Sequence, residues 1–279
     1  MLDKHLRAVL EKAYQDYHLL ERRSADAIHW VHSYQNARDR EVAAFFSALL
    51  AYGNVTTILN SIRRFLDLLP DSPYNAILNR RFTGKLRPFR HRFTTGEDLE
   101  ILCHQLATIL EGHESLEAFF LAGEYPVSVD SFADVLSSFV RRIHQTPLPE
   151  NQNRSHRARS LKYLVSSPRD GSACKRLNLF LRWMVRPNDG IDFGQWKRVS
   201  PSILRLPVDT HLLRVLRELR WTESKTANWR VVEAATQNLR LLDPLDPVRF
   251  DFSLCHLSMQ GFSIRQYLKG DKRIVPSKT

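Results

Sequence analysis

Apolar residues recur along this chain at the spacing of amphipathic helices. From Leu2, LDKHLRAVLEKAYQDYHLLERR places Leu6, Val9, Leu10 and Tyr14 on one face. Asp39 reads as the N-cap of REVAAFFSALLAYG, with Gly53 as its stop. That stretch is almost continuously apolar, so it belongs at the centre of a core. VTTILNSIRRFLDLLP follows and ends at Pro70. TTGEDLEILCHQLATILEG, from Thr94, puts Glu97 and Asp98 in the first turn of a capped helix. DSFADVLSSFVRRIHQ, from Asp130, and GSACKRLNLFLRWMVR, from Gly171, are further helices, the second closed by PNDG. DTHLLRVLRELRW, ANWRVVEAATQNLRLL and DPVRFDFSLCHLSM complete the set. Alternating β-branched runs are absent, and nothing repeats. The expectation is an all-α single domain of roughly ten or more helices. Residues 146–160, TPLPENQNRSHRARS, read as a loop between two interleaved lobes.

Composition narrows the class. The chain has 279 residues, 43% hydrophobic and 25% charged, enough for a sizeable core and unlike a disordered segment. Its formal net charge is +11, which favours a polyanionic partner, foremost nucleic acid. The longest apolar run, AAFFSALLAY, is far short of a membrane span. No secretory signal is evident at the N-terminus. Cys103, Cys174 and Cys255 are too scattered for a metal or disulfide pattern. A cytoplasmic monomer without a membrane association fits these features.

Two segments carry candidate chemistry. In GSACKRLNLFLRWMVR, helical geometry brings Lys175, Asn178, Arg182 and Arg186 within about 80° of one another. The rest of that helix is apolar, so one basic stripe remains, facing either solvent or an anion. Lys175 would stand in the first turn, where the helix dipole disfavours its charge and suits an amine nucleophile. In LPVDTHLLRV, Asp209 follows an extended Pro207-Val208 step and starts a helix buried through Leu212, Leu213, Leu216 and Leu219. Asp209 is a natural N-cap. A carboxylate held rigidly at a helix start is also well aimed for catalysis. Arg214 and Arg217 would lie on the outer face, within reach of phosphates.

Taken together, GSACK before an apolar helix and PVDTHLLRVL after a break resemble the helix-hairpin-helix DNA glycosylase superfamily. Gly171 matches the first hairpin glycine, Ala173 replaces the second, and the hairpin is degenerate. Lys175 takes the catalytic lysine position, Asp209 the catalytic aspartate and Pro207 the proline. The long spacer, PNDGIDFGQWKRVSPSIL, is similar to that of archaeal 8-oxoguanine glycosylases. The chain is similar along nearly its whole length to a bacterial family that carries DGIDFG and PVDTH. The resemblance implies two helical lobes around a central cleft. It also implies double-stranded DNA as partner, base flipping, and excision with Schiff-base lyase chemistry. Gly171, Asn178, Arg182, Arg186, His211 and Arg214 would contact nucleic acid. Tyr52 and Asn54, after AFFSALLAYGN, would be wedge residues. No cofactor or protein-held metal is implied; a monovalent cation at the hairpin is the one ion it allows.

The rival expectation is a catalytically inactive nucleic-acid-binding protein on the same fold, favoured by the degenerate hairpin. A third is a basic scaffold for protein partners. Trp183, Trp196, Trp221 and Trp229 read as core residues before base-stacking ones. His211 reads as a local cap, Asp189 and Asp192 as turn residues, and Asp243, Asp246 and Asp251 as structural.

Overall fold

The computed structural model describes residues 4–70, 72–148 and 158–268. The protein is all-α, with thirteen α-helices among those residues. The first seven are α1 (Lys4–Tyr17), α2 (Ala37–Leu50), α3 (Val55–Asp67), α4 (Pro73–Leu78), α5 (Gly96–Gly112), α6 (Leu116–Leu121) and α7 (Phe132–Gln145). The rest are α8 (Ala158–Leu164), α9 (Lys175–Val185), α10 (Thr210–Glu218), α11 (Trp229–Leu242), α12 (Asp251–Met259) and α13 (Ile264–Leu268). Short 3-10 turns link several of them. Before α5 the chain makes a small antiparallel hairpin, β1 (Arg90–His91) and β2 (Thr94–Thr95), pairing Arg90 with Thr95 and His91 with Thr94.

Two hydrophobic clusters organise the fold. The first runs from Ala27 through α2–α9 to Leu204 and also takes in Val248 and Phe252. Its centre is the packing of α2 on α9. Phe45 meets Phe180 edge-on at 5.4 Å, and Phe180 meets Trp196 at 5.3 Å. Truncating Phe180 here would cost about 3–5 kcal/mol. The second cluster joins α1 to α10–α13; after α1, and apart from Ala173, its residues begin at Leu206. The break therefore falls at Arg205. It does not fall in the 146–160 segment, because Ile143 before that segment and Leu164 after it share the first cluster. Residues 149–157 of that expected loop lie outside the described residues, and α8 already begins at Ala158.

Several helix starts differ from expectation, each for a local reason. Asn36, not Asp39, caps α2, its Oδ1 accepting from the Arg38 and Asp39 amides at 2.8 and 3.3 Å. Asp39 instead accepts from the Tyr74 amide at 3.0 Å and from the Ser72 hydroxyl, tying α4 to α2. Thr95 and Asp98 form a reciprocal capping box on α5. Helix α7 starts at Phe132 and α9 only at Lys175. Residues Gly171–Cys174 are spent on a turn in which Gly171 (φ 74°) and Cys174 (φ 48°) are left-handed.

Candidate active site

A cavity of about 580 Å³ opens where the two clusters meet. One wall comes from the end of α2 and the start of α9: Ala51, Tyr52, Cys174 and Lys175. The other comes from the start of α10 and from α12: Pro207, Asp209, Asp251 and Cys255. Lys175 and Asp209, far apart in sequence, thus line one space.

Lys175 is the first residue of α9 and half-buried. Its Nζ donates to the Ala51 carbonyl at 2.8 Å, at the C-terminal end of α2. That bond fixes the amine at the cavity wall. Asp209 divides its carboxylate between two tasks. Oδ1 accepts from the Leu212 amide at 2.9 Å, capping α10. Oδ2 faces the thiol of Cys255, 3.9 Å from its Sγ. Burial, and then the negative charges of Asp209 and Asp251, push the Cys255 thiol well above its usual range, so it stays protonated; Lys175 works in the opposite direction. The Cys255 sulfur thus senses both Lys175 and Asp209. Its place on α12 makes it a site residue that no sequence motif marked.

Below these groups lies an ionic floor. Arg182 and Arg186, expected on an anion-facing stripe, are instead 2% and 4% exposed. Arg182 donates to Asp192 Oδ1 through Nε at 3.2 Å and Nη2 at 3.1 Å, and pairs with Asp251 through Nη1. Arg186 pairs with Asp192, with Asp189 at 3.0 Å and with Asp246 at 2.9 Å. Burial by itself would lower both guanidinium pKa values; the surrounding carboxylates outweigh it and hold both charged. Arg182 and Arg186 thus belong to an internal ion-pair network; Arg182 lies in the cavity lining, with its donors engaged by Asp192 and Asp251. Asn178 is also buried, its amide donating to the Ala173 carbonyl at 3.1 Å. Asp251, beside the cavity, is pushed up to about 6, by burial first and by Asp209 and Asp192 in addition, against the pull of Arg182. Asp26, also in the lining, would be raised by burial. His256, 3.6 Å away, and Arg182 more than offset this and hold it low.

The remaining candidates divide. Gly171 stands exposed at the turn into α9, its carbonyl accepting from the Trp229 amide at 3.1 Å. His211 is exposed and lines the cavity. Arg214 Nε donates to Glu218 at 3.2 Å, one turn along α10. Tyr52 lines the cavity, with its hydroxyl held by Thr94 Oγ1 at 2.6 Å and the His91 carbonyl at 2.9 Å. Asn54 is the N-cap of α3, its Oδ1 accepting from the Thr56 amide at 3.0 Å. A wedge role for Asn54 would require giving up that cap. Trp183 and Trp196 are core residues. Asp189 serves its turn, accepting from the Ile191 and Asp192 amides at 3.0 and 2.9 Å. Among the described residues, no group of three or more His, Cys, Asp or Glu side chains is poised to hold a metal. Nor is any helix of the described residues long and apolar enough to cross a membrane.

Residues 26–260 match the model of a family described as a protein of unknown function, DUF2400. The chain belongs to the DUF2400 family. The matched span contains α2, α9, α10 and α12, so every cavity residue discussed here falls within it. No curated protein and no solved structure matches the chain.

Proposed function

We propose that this DUF2400 protein is a DNA-binding, glycosylase-like enzyme that excises a base through Lys175 and Asp209. One observation carries the reading: both side chains open into a single cavity from opposite clusters, with one Asp209 oxygen left facing the cavity after capping α10. The resemblance of GSACK and PVDTH to the helix-hairpin-helix glycosylases supports it, as does the net charge of +11. A nucleotide flipped from the stack would enter the cavity. The Lys175 amine would attack the anomeric carbon as the bond to the base breaks, and the base departs with one of the amine protons. Asp209 would stabilise the oxocarbenium charge. Opening of the sugar ring would give a Schiff base. β-Elimination of the 3′ phosphate would then nick the strand.

Borohydride trapping on duplexes carrying 8-oxoguanine, uracil, an alkylated base or an abasic site tests this. A covalent adduct should form on at least one of them, vanish in Lys175→Gln, and persist in Lys162→Gln. The second reading, a non-catalytic nucleic-acid-binding protein, is favoured by the Ala51 carbonyl that engages the lysine amine and by Ala173 in place of a second hairpin glycine. It predicts salt-dependent DNA binding with neither adduct nor base release.

A further inference from the structure

At the mouth of the cavity, one surface combines exposure, aromaticity and positive charge. Five large apolar side chains stand well exposed among the described residues, and two of them, Phe93 (68%) and Tyr163 (44%), touch each other. Their rings meet edge-on with centroids 6.1 Å apart. Tyr163 in turn meets Tyr52 edge-on at 5.5 Å, and both tyrosines line the cavity. An aromatic strip therefore runs from the tip of the β1–β2 hairpin to the cavity mouth.

The tip is firmly mounted. On either side of the Arg92-Phe93 turn, His91 and Thr94 are buried. His91 donates through Nε2 to the Tyr52 carbonyl at 3.0 Å and accepts through Nδ1 from the Ser61 hydroxyl at 2.9 Å. Arg92 adopts a left-handed φ of 52°, which reverses the chain and leaves Phe93 pointing outward. A phenylalanine held out in water on an anchored turn has an unfavourable hydration that a ligand would relieve. Cations are interleaved with the rings. The Arg92 guanidinium lies 5.5 Å from the Phe93 centroid, and that of Arg176 lies 4.4 Å from Tyr163 and 5.2 Å from Tyr52. Arg176 Nη1 is buried without a hydrogen-bond partner among the described residues. Ring faces beside guanidinium groups match the two halves of a nucleotide, its base and its phosphate.

We propose that Phe93 and Tyr163 form a stacking subsite for an unpaired nucleobase adjacent to the nucleotide in the cavity, with Arg176 on the intervening phosphate. The inference rests on the nucleic-acid part of the reading above and not on its catalytic part. The unpaired base can belong to a single strand or to a duplex opened at two adjacent nucleotides.

Fluorescence anisotropy at fixed salt tests it with three labelled probes: a single-stranded oligonucleotide, the intact duplex, and the same duplex with two adjacent unpaired nucleotides. Phe93→Ala should weaken a probe that offers an unpaired base roughly tenfold or more, while the intact duplex changes much less. Phe93→Trp should restore the affinity. Loss on the single strand alone identifies a strand as the source; loss on the opened duplex as well identifies both. With 5-iodouracil in the responsive probe, irradiation should crosslink the peptide containing Phe93 or Tyr163. Unchanged affinity for all three probes, or an equal loss on all three, overturns the subsite and leaves the nucleic-acid reading in place. If no probe binds at low salt, both fall. Absence of a borohydride adduct removes the catalytic reading and leaves the stacking result standing. The exposure of Phe93 predicts an unchanged melting temperature for both variants, which separates any binding loss from misfolding.

Discussion

Replacing Arg182 by Met removes the central cation of the buried network while keeping much of its volume. Its guanidinium neutralises Asp192 and Asp251, which are 0% and 3% exposed at their side chains. Asp192 keeps Arg186 as a partner, but Asp251 loses the guanidinium that balances it. Breaking a buried pair in this way costs about 3–5 kcal/mol, because one charge is left in a low-dielectric site. At about 2–4 °C per kcal/mol for a chain near this size, the melting temperature should fall by roughly 6–20 °C. The deficit should also depend on pH. Folded Asp251 is raised to about 6 in the wild type, so it binds its proton more tightly than the unfolded chain does. Its contribution is therefore fully present below the unfolded value near ~4 and is lost as pH rises to about 6. Without Arg182 the folded value moves higher still and the loss continues further up the scale. The deficit of the variant should thus be smaller near about pH 5.5 than near about pH 8. Adding Asp251→Asn should recover part of it, since a neutral amide needs no counter-charge. Differential scanning calorimetry across that range is the assay. A variant that melts within about 2 °C of wild type, or a deficit that ignores pH, would refute the assignment of Arg182 to a buried ionic role.

Asp209→Ala should abolish base release and also lower stability by about 1 kcal/mol through the lost α10 cap, whereas Asp209→Asn should keep the cap and lose only the activity; thermal melts beside a base-release assay separate the two effects. Gly96→Ala should fail to fold, because a Cβ there would come 1.6 Å from the Leu86 carbonyl oxygen, and expression with circular dichroism will show it. Gly171→Ala, with open space around the position but φ at +74°, should cost only about 1–2 kcal/mol in the same melts. Lys225→Ala, at an exposed lysine of the cavity lining, should reduce the slope of log affinity against log salt by about one if it neutralises a phosphate.

Much of the architecture could be read from local pattern. The apolar periodicity of α2, α5 and α9 survives in the structure because those helices bury most of their surfaces. Helix starts were less legible, since Asn36 and Asp39 are both good caps and only the docking of α4 draws Asp39 away. The Arg182–Arg186 stripe was misread for a deeper reason. Periodicity reports that a helix face is polar but not what stands opposite it: Asp192 lies in the turn just after α9, while Asp246 and Asp251 come from distant segments. A compositional signal was available: a helix otherwise apolar, followed by NDGID and DPLDPVRFD, has acids enough to neutralise its arginines. The β1–β2 hairpin left no trace, because two-residue strands are too short for any alternation to show. Cys255 entered the site only through the packing of α12 on α10.

The division of the interior into two clusters also sets an order of events during synthesis. Most of what surrounds Lys175 belongs to the first cluster and is synthesised before the segment beginning at Leu206. Helix α1 emerges earliest, yet its partners are among the last: Arg7 donates to the Leu242 carbonyl at 2.7 Å, and Tyr267 donates to Asp16 at 3.1 Å. The amino-terminal helix must therefore wait, apolar face uncovered, for the carboxy-terminal helices. A nascent chain can assemble much of the lysine wall before α10 is made, but the aspartate wall closes only when α1 meets α10–α13. Lys175 and Asp209 therefore come to share one cavity only after α10–α13 have been made.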